Sequence, residues 1–439
     1  MFRNYLLITL RNFRNQKLFS LLNIFGLALG LASAILIFLY VSDELRYDTM
    51  QPNFKDTYRV GTTFINPDGQ RFDNTVAPGY FIRYLKDNYK EVLRTARMDY
   101  IGYPTSLAYK PKDKIVLTEE IKWAEPGFDK ILMFQLLKGN QETMFKEFNS
   151  IIMSETGARK IFGDEDPIGK VIALKHFWAT HDREINLVVT GIYRDYPANS
   201  HFKPLYIVNL NAMHEIQGEH FGDYLEGSRF TDYTEFFESY IVLRHHADIK
   251  PVNDELNRLA KQMQESDSAF RASGGKFLGF TAKLEDLHFD PKNIWENNSH
   301  GSKTYLTIFS VIAIMIMIIA CINYTNLATA RSLKRSKEVG LRKTFGSYRY
   351  QLAVQFFFES FLMTFAALLV SIGLVLIFLH PFNQLAHKSF DLSSLFDPYM
   401  ISVMIGILIF MTFAAGLYPA IYLSGFIPAR VLKGQMIKG

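Results

Sequence analysis

Three groups of residues in this 439-residue chain have types and spacing that could support chemistry. The first is FGDEDPIGK at 162–170, a glycine–lysine arrangement of the kind that cradles phosphate. In a phosphate loop four residues separate the glycines and a Ser or Thr follows the lysine, so that backbone N–H groups ring the phosphate and the hydroxyl reaches its metal. Here five residues separate Gly163 from Gly169, Val171 follows Lys170, and Pro167 removes a backbone donor, so the segment reads as a turn. The second group is histidine. His176/His181 and His245/His246 lack the helical i,i+4 spacing and flanking ligands of a zinc site, and they read as surface side chains. No G-x-S-x-G nucleophile elbow occurs, and the acidic pairs are scattered among polar residues. No catalytic residue and no metal ligand is expected.

The third group is a basic segment, Asn326 to Gln351, with seven Lys or Arg residues and one acid, Glu338. Arg331, Lys334, Arg335 and Lys337 could simply anchor a helix end at anionic headgroups. Anchoring leaves Val339, Leu341 and Phe345 unexplained, apolar residues in a polar elbow around Gly340 and Gly346. A short helix along the membrane that offers those side chains to a protein groove accounts for them. The expected docking set is Lys337, Glu338, Val339, Gly340, Leu341, Arg342, Lys343, Phe345 and Gly346.

The elements that must carry this elbow are membrane helices. Runs at 18–41, 304–325, 353–379 and 399–423 are almost continuously apolar, and about 20 helical residues suffice to cross the hydrocarbon. The expected fold is a multi-pass α-helical membrane protein with four transmembrane helices and a large α+β, two-lobed extracytoplasmic domain. Its segments are 1–17, a cytoplasmic N-terminal segment; 18–43, the first span; 44–303, the outer domain; 304–325, the second span; 326–352, the elbow; 353–380, the third span; 381–398, a short outer loop; 399–423, the fourth span; and 424–439, a cytoplasmic tail. Arg3, Arg11, Arg14 and Lys17 before the first span, and Arg430, Lys433 and Lys438 after the last, put both termini inside with the elbow. Lys388 stands against Asp391 and Asp397 in the outer loop, and the outer domain is left net acidic, so the basic balance reflects topology and implies no nucleic acid.

Ala32-Ser33-Ala34 resembles a signal cleavage site, but apolar residues continue past it, so the first run reads as an uncleaved anchor. Gly26, Gly30 and Ala34 form a small-residue ridge suited to close helix packing. Glu359, inside the third span, is expected to face a neighbouring helix, a cavity or the elbow's cations rather than lipid. Asn323 and Asn326 read as interhelical hydrogen-bonding residues. The lone cysteine, Cys321, reads as an apolar filler, which leaves the outer domain without disulfides. Within that domain, Phe81, Ile82, Leu85, Tyr89 and Val92 share a helical face over 78–92, and Val252, Leu256, Leu259 and Met263 share another entered at Pro251. Ser154 is positioned to cap a helix ending at Gly163, and 185–193 and 239–243 read as buried strands.

Five ordered blocks resemble the MacB/FtsX-like permease subunits of ABC transporters. KEVGLRKTFGSYRYQLAVQFFFES (337–360) is similar to the family's E-[IV]-G-[IL]-R-K-x-x-G-A-x-x-x-x-[IL]-x-x-Q-F-[LF]-x-E-S pattern, with Ser347 where Ala is usual. The outer domain adds YDTMQPNFKDTYRV (47–60), WAEPGFDKILMFQLLKGN (123–140), SETGARKIFGDEDPIGKVI (154–172) and VVTGIYRDYPANSHF (188–202), and GLYPAIYLSGFIPARVLKG (416–434) resembles the family's exit from its last span. The resemblance implies a MacB-like periplasmic core domain, a bacterial inner-membrane location and a non-catalytic role. It implies a separate ABC ATPase subunit that holds ATP and Mg, no cofactor on this chain, a second permease unit as homodimer or pseudo-dimer, contact with membrane lipid, and a periplasmic adaptor or substrate. It also leaves open whether the chain is whole or the first half of a two-unit permease. The implied function is export coupled to ATP hydrolysis by mechanotransmission, with a signalling or scaffold subunit regulating cell-wall hydrolases as the alternative.

Overall fold

The computed structural model describes residues 17–99, 105–175, 184–227, 236–289, 301–330 and 348–424. The chain divides into two compact units, one of residues 46–301 and one made of the segments before and after it. The first helix, α1 (Lys17–Leu45), belongs to the latter.

The outer unit is built on one long mixed sheet. Its strands are β1 (Thr57–Ile65), β2 (Arg71–Asn74), β3 (Ala77–Pro78), β4 (Val92–Asp99), β5 (Thr105–Tyr109), β6 (Lys114–Thr118), β7 (Ile121–Ala124), β8 (Leu136–Gly139), β9 (Ser150–Ser154), β10 (Val171–Lys175), β11 (Glu184–Tyr193), β12 (Tyr206–Asn209), β13 (Phe236–Leu243) and β14 (Lys276–Lys283). Their order is β14-β1-β13-β4-β7-β12-β9-β11-β10-β5-β6, with β2, β3 and β8 attached at its flanks. Pairing is antiparallel except for β9 with β11 and β7 with β12.

Two lobes share this sheet. At one end α2 (Gly79–Asn88) and α5 (Lys250–Ser266) bury Phe81, Ile82, Leu85, Leu256, Leu259 and Met263 with Val60, Ile241 and Phe277. At the other, α3 (Glu155–Phe162) buries Ile161 and Phe162 against Leu107, Leu174 and Leu187. A small helix, α4 (Phe221–Glu226), adds Tyr224 to the latter core. The helix read over 78–92 ends earlier than expected. Tyr89 closes α2 and Val92 opens β4, because the backbone at Tyr89 has already turned to the extended region. The strands at 185–193 and 239–243 lie within β11 and β13, and Pro251 stands in the first turn of α5.

The other unit is a four-helix bundle, completed by α6 (Lys303–Ala330), α7 (Arg349–Ala386) and α8 (Pro398–Ser424). All four helices are long and apolar enough to cross a membrane. Leu27, Leu31 and Ile35 of α1, Ala313 and Met317 of α6, Ala367 and Val375 of α7, and Met411 and Ala415 of α8 form its core. Helix α7 runs beyond the expected end at residue 380, carrying Pro381 inside it. Its extra turn is stabilised by the Asn383 side chain, which donates to Phe390 O (2.7 Å) and accepts from Phe390 N (3.1 Å). His387 in the left-handed region (φ 51°) then ends the helix.

Ser154 caps α3 as its sequence position suggests, its hydroxyl accepting from Gly157 N at 3.1 Å, and Gly163 follows the last turn. Removing an N-cap hydroxyl costs roughly 1 kcal/mol, so Ser154→Ala should lower the thermal midpoint of the outer unit by about 2–4 °C, read by scanning calorimetry on the full chain.

Candidate transmission sites

In the bundle, α6 packs closely on the small-residue ridge of α1. A Cβ built on Gly30 would lie 2.8 Å from Ala320 Cβ, and one on Gly26 would lie 3.4 Å from Asn323 Nδ2. Ala34 is fully buried in the same core. Gly26, Gly30 and Asn323 are thus brought together. Asn23, one turn earlier, was not singled out from sequence. It is 2% exposed, and among the described residues neither of its amide atoms has a hydrogen-bond partner.

Glu359 is 6% exposed and sits in the bundle interior. The adjacent Ser360 Oγ lies 3.2 Å from Tyr324 Oη, joining α7 to α6, while Gly416 of α8 brings its backbone against Ser360 Cβ. Cys321 packs with its Sγ 3.3 Å from Met411 Sδ, so it is a core side chain. The elbow residues Lys337 to Gly346 lie outside the described residues.

The outer end of the bundle has a feature that sequence reading missed. Lys388 Nζ is 2.7 Å from both Asp43 Oδ2 and Glu44 Oε1, and it lies over the Tyr40 ring, 5.6 Å from the centroid. Lys388 is only 14% exposed and Glu44 is buried. The loop's own acids, Asp391 and Asp397, accept from Ser394 N and Tyr399 N (both 2.9 Å). The clasp ties the loop between α7 and α8 to the last turn of α1.

In the outer unit, both chain ends converge on a buried root. Tyr47 stacks on His288 (3.7 Å between centroids, 8° between planes), and His288 O accepts from Gly301 N at 2.8 Å. Next to it, Asp48 has a left-handed backbone (φ 58°), a conformation that costs a side-chain-bearing residue and persists only when its surroundings impose it. The constraints are visible. Asp48 N donates to Asn199 O (2.9 Å), and Asp48 Oδ1 accepts from Ser200 Oγ (2.9 Å) and His201 N (2.9 Å). Tyr47 Oη donates to Ser200 O at 3.1 Å.

From Asp48 a chain of polar groups runs into the core. His201 Nδ1 is 2.8 Å from Asp48 Oδ2, out of line for a hydrogen bond but close for an ion pair. His201 Nε2 is 2.7 Å from Tyr240 Oη, which donates to Glu238 Oε1 at 2.6 Å, and Glu238 pairs with Lys122. Tyr240 has one proton and gives it to Glu238, so His201 Nε2 must donate. A lone pair on Nδ1 would face a carboxylate, so the ring is an imidazolium. Burial by itself raises the Asp48 pKa, but the His201 charge and the hydrogen bonds from His201 and Ser200 hold it below the usual carboxylate range. Burial likewise opposes ionisation of Glu238, yet Lys122, Arg59 and His201 bring it down to about 2.

Four blocks that are distant in sequence are stitched together in the outer unit. Gln51 Oε1 accepts from Met133 N (2.7 Å), and Asp195 accepts from Thr156 N (3.1 Å) and Thr156 Oγ1 (2.6 Å) at the start of α3. The glycine–lysine segment forms a turn, with Asp166 accepting from Ile168 N (3.4 Å) and Lys138 Nζ (3.1 Å) and with Glu165 held by Lys112 and Lys170. His245 is exposed and pairs with Asp56 at 2.9 Å, whereas His176 and His181 lie outside the described residues. These contacts hold the segments of the outer unit to one another.

Two outcomes follow. Lys388→Met should lower the thermal midpoint of the detergent-solubilised chain, because it strands two carboxylates, and adding Asp43→Asn with Glu44→Gln should recover most of the loss. The depressed carboxylates Asp48 and Glu238 stabilise the fold above about pH 4, where their unfolded counterparts ionise. That contribution is lost as pH falls toward their folded values, so acid titration of unfolding should show a stability decline below about pH 4 that Glu238→Gln makes shallower.

The family model of the MacB-like periplasmic core domain matches residues 20–259, and that of the FtsX-like permease C-terminal matches residues 310–426. A macrolide export ATP-binding/permease protein MacB of Bdellovibrio bacteriovorus is 23% identical over 285 residues, covering 64% of this chain and 38% of the relative. One from Neisseria meningitidis serogroup A is 22% identical over 372 residues, covering 82% of this chain and 50% of the relative. The chain therefore spans half or less of the length of these relatives. Among solved structures, a domain of a permease protein from Porphyromonas gingivalis aligns with TM-score 0.42 and 20% identity over 53% of this chain and 91% of that one. The periplasmic region of MacB from Actinobacillus actinomycetemcomitans aligns with TM-score 0.32 and 10% identity over 53% and 91%. With a MacB-like periplasmic core domain followed by an FtsX-like permease region, the chain belongs to the MacB/FtsX-like family of ABC transporter permeases.

Proposed function

We propose that this chain is the mechanical membrane subunit of an exporter whose ATP is hydrolysed by a separate subunit docked on the elbow at 326–352, with both termini and the elbow cytoplasmic and the large domain periplasmic. The observation that carries this reading is the root of the outer unit. Tyr47 at its beginning and His288 and Gly301 at its end are held together, and Asp48 locks them to the 199–201 segment. The chain passes between the units at Leu45–Arg46 and Gly301–Ser302, close in sequence to the residues held together in the outer unit. Motion of α1 and α6, packed without a side chain at Gly30, would reach the outer unit there.

In this reading, closure of two ATPase subunits moves paired elbows, tilts the spans and rearranges the outer domains of two permease units. A substrate is then expelled on the periplasmic side with no continuous channel through the helices. The relatives named for macrolide export support export over signalling.

Leu341→Asp with Phe345→Asp removes the apolar side chains of the elbow while leaving its cations. The double variant should lose co-purification of the ATP-hydrolysing partner and the nucleotide-dependent ATPase activity of the membranes, at unchanged abundance of this chain. Retention of both would refute the docking assignment.

A further inference from the structure

We infer that the groove between α6 and α8 is a binding site for one anionic glycerophospholipid. An acyl chain would lie along its apolar part, with the ester and phosphate oxygens at the end of α6. The groove measures about 700 Å³, within the range of small-molecule sites. Its apolar part is lined by Ile318, Cys321, Ile322 and Ala414, and its polar part by Thr325, Asn326 and Thr329. The α6 residues recur three or four positions apart, so they form one stripe along the helix. Behind them Cys321 Sγ packs 3.3 Å from Met411 Sδ, which closes the floor towards α8. The rim is open, with Ile318 and Ile322 43% and 53% exposed.

Three arguments select this ligand. The first is unmet hydrogen bonding. Elsewhere in the spans Thr307, Thr364 and Thr412 each donate to the carbonyl four residues earlier, at 2.9, 2.9 and 2.7 Å, the usual resting state of a threonine in a membrane helix. Among the described residues Thr325 and Thr329 make no such bond, and the buried Thr329 hydroxyl has no partner. A donor left unmatched in a membrane is costly, and lipid ester oxygens are acceptors at the right level. The second argument is depth. At about 1.5 Å per residue, Thr325 to Thr329 lie within about 8 Å of the helix end at Ala330, and Ile318 lies about 18 Å from it. Half the hydrocarbon is about 15 Å thick, so the polar part meets a headgroup and the apolar part its chain. With the elbow inside, the orientation proposed above, this is the cytoplasmic leaflet. The third is charge, because the sequence runs from Ala330 straight into Arg331, Lys334 and Arg335, which favour an anionic lipid over a zwitterionic one. A free phosphate would leave the isoleucines uncovered. A neighbouring helix would cover them, but its backbone carbonyls are already used.

The test titrates the full chain, purified in a mild detergent, with phosphatidylglycerol or phosphatidylcholine and counts the lipids retained per chain by native mass spectrometry. The unsubstituted chain should retain one phosphatidylglycerol and prefer it over phosphatidylcholine by about tenfold. Asn326→Leu with Thr329→Val preserves volume, removes the donors and should weaken phosphatidylglycerol binding about tenfold. Ala414→Phe fills the apolar part and should abolish retention of either lipid. Thermal midpoints of both variants in lipid-free detergent should match the unsubstituted chain, showing that the fold is intact. Equal retention of the two lipids, or phosphatidylglycerol retention unchanged in both variants, would overturn the site. Binding is read here without any ATPase, so it stands or falls separately from docking at the elbow. Thiol labelling of Ser332→Cys in intact cells checks the leaflet: reaction with an impermeant reagent from outside would overturn the orientation while leaving the lipid site in place.

Discussion

Asp48 is a carboxylate taken out of water next to the point where the outer unit begins, and the unit's internal order depends on keeping it charged. Burying such a group unpaired would cost several kcal/mol. It is tolerated because a backbone N–H, a serine hydroxyl and an imidazolium all face its oxygens. The requirement propagates. His201 must stay doubly protonated, Tyr240 must relay a hydrogen bond, and Glu238 must be matched by Lys122 and Arg59. One charge therefore fixes the positions of β13, β1, the 199–202 loop and the first residues after α1.

The bundle solves a different problem by the opposite means. Inside a membrane the apolar effect does not favour one helix neighbour over another, so close packing and scarce polar contacts decide which faces meet. Gly30 against Ala320 supplies the first, and the Tyr324–Ser360 contact supplies the second. At the outer boundary, where water returns, Lys388 with Asp43 and Glu44 can use charge again. Each layer uses the interaction its solvent makes effective.

Much of this was legible in sequence, because it rests on local signals. Run length identifies the four spans, period-3.6 patterns identify α2 and α5, and a serine before an apolar stripe locates the start of α3. The small-residue ridge is likewise a spacing argument. What escaped reading is long-range: Asp48 and His201 are 153 residues apart, Lys388 and Asp43 are 345 apart, and no periodicity connects them. The signal was present only as composition. Asp48, Ser200 and His201 each lie in a block that resembles the family, but nothing in a single sequence says that those blocks touch. The extension of α7 past Pro381 escaped for a related reason, since its support comes from Asn383 reaching forward to a loop.

The continuity of the outer sheet has a geometric corollary. Eight strand spacings separate β13, which holds the polar root, from β6 at the far edge. At about 4.8 Å each, they make an arm of at most about 38 Å. A rotation of about 10° at the root would then sweep the far edge through some 6–7 Å, so a sub-ångström adjustment beside Asp48 arrives there as a displacement several times larger.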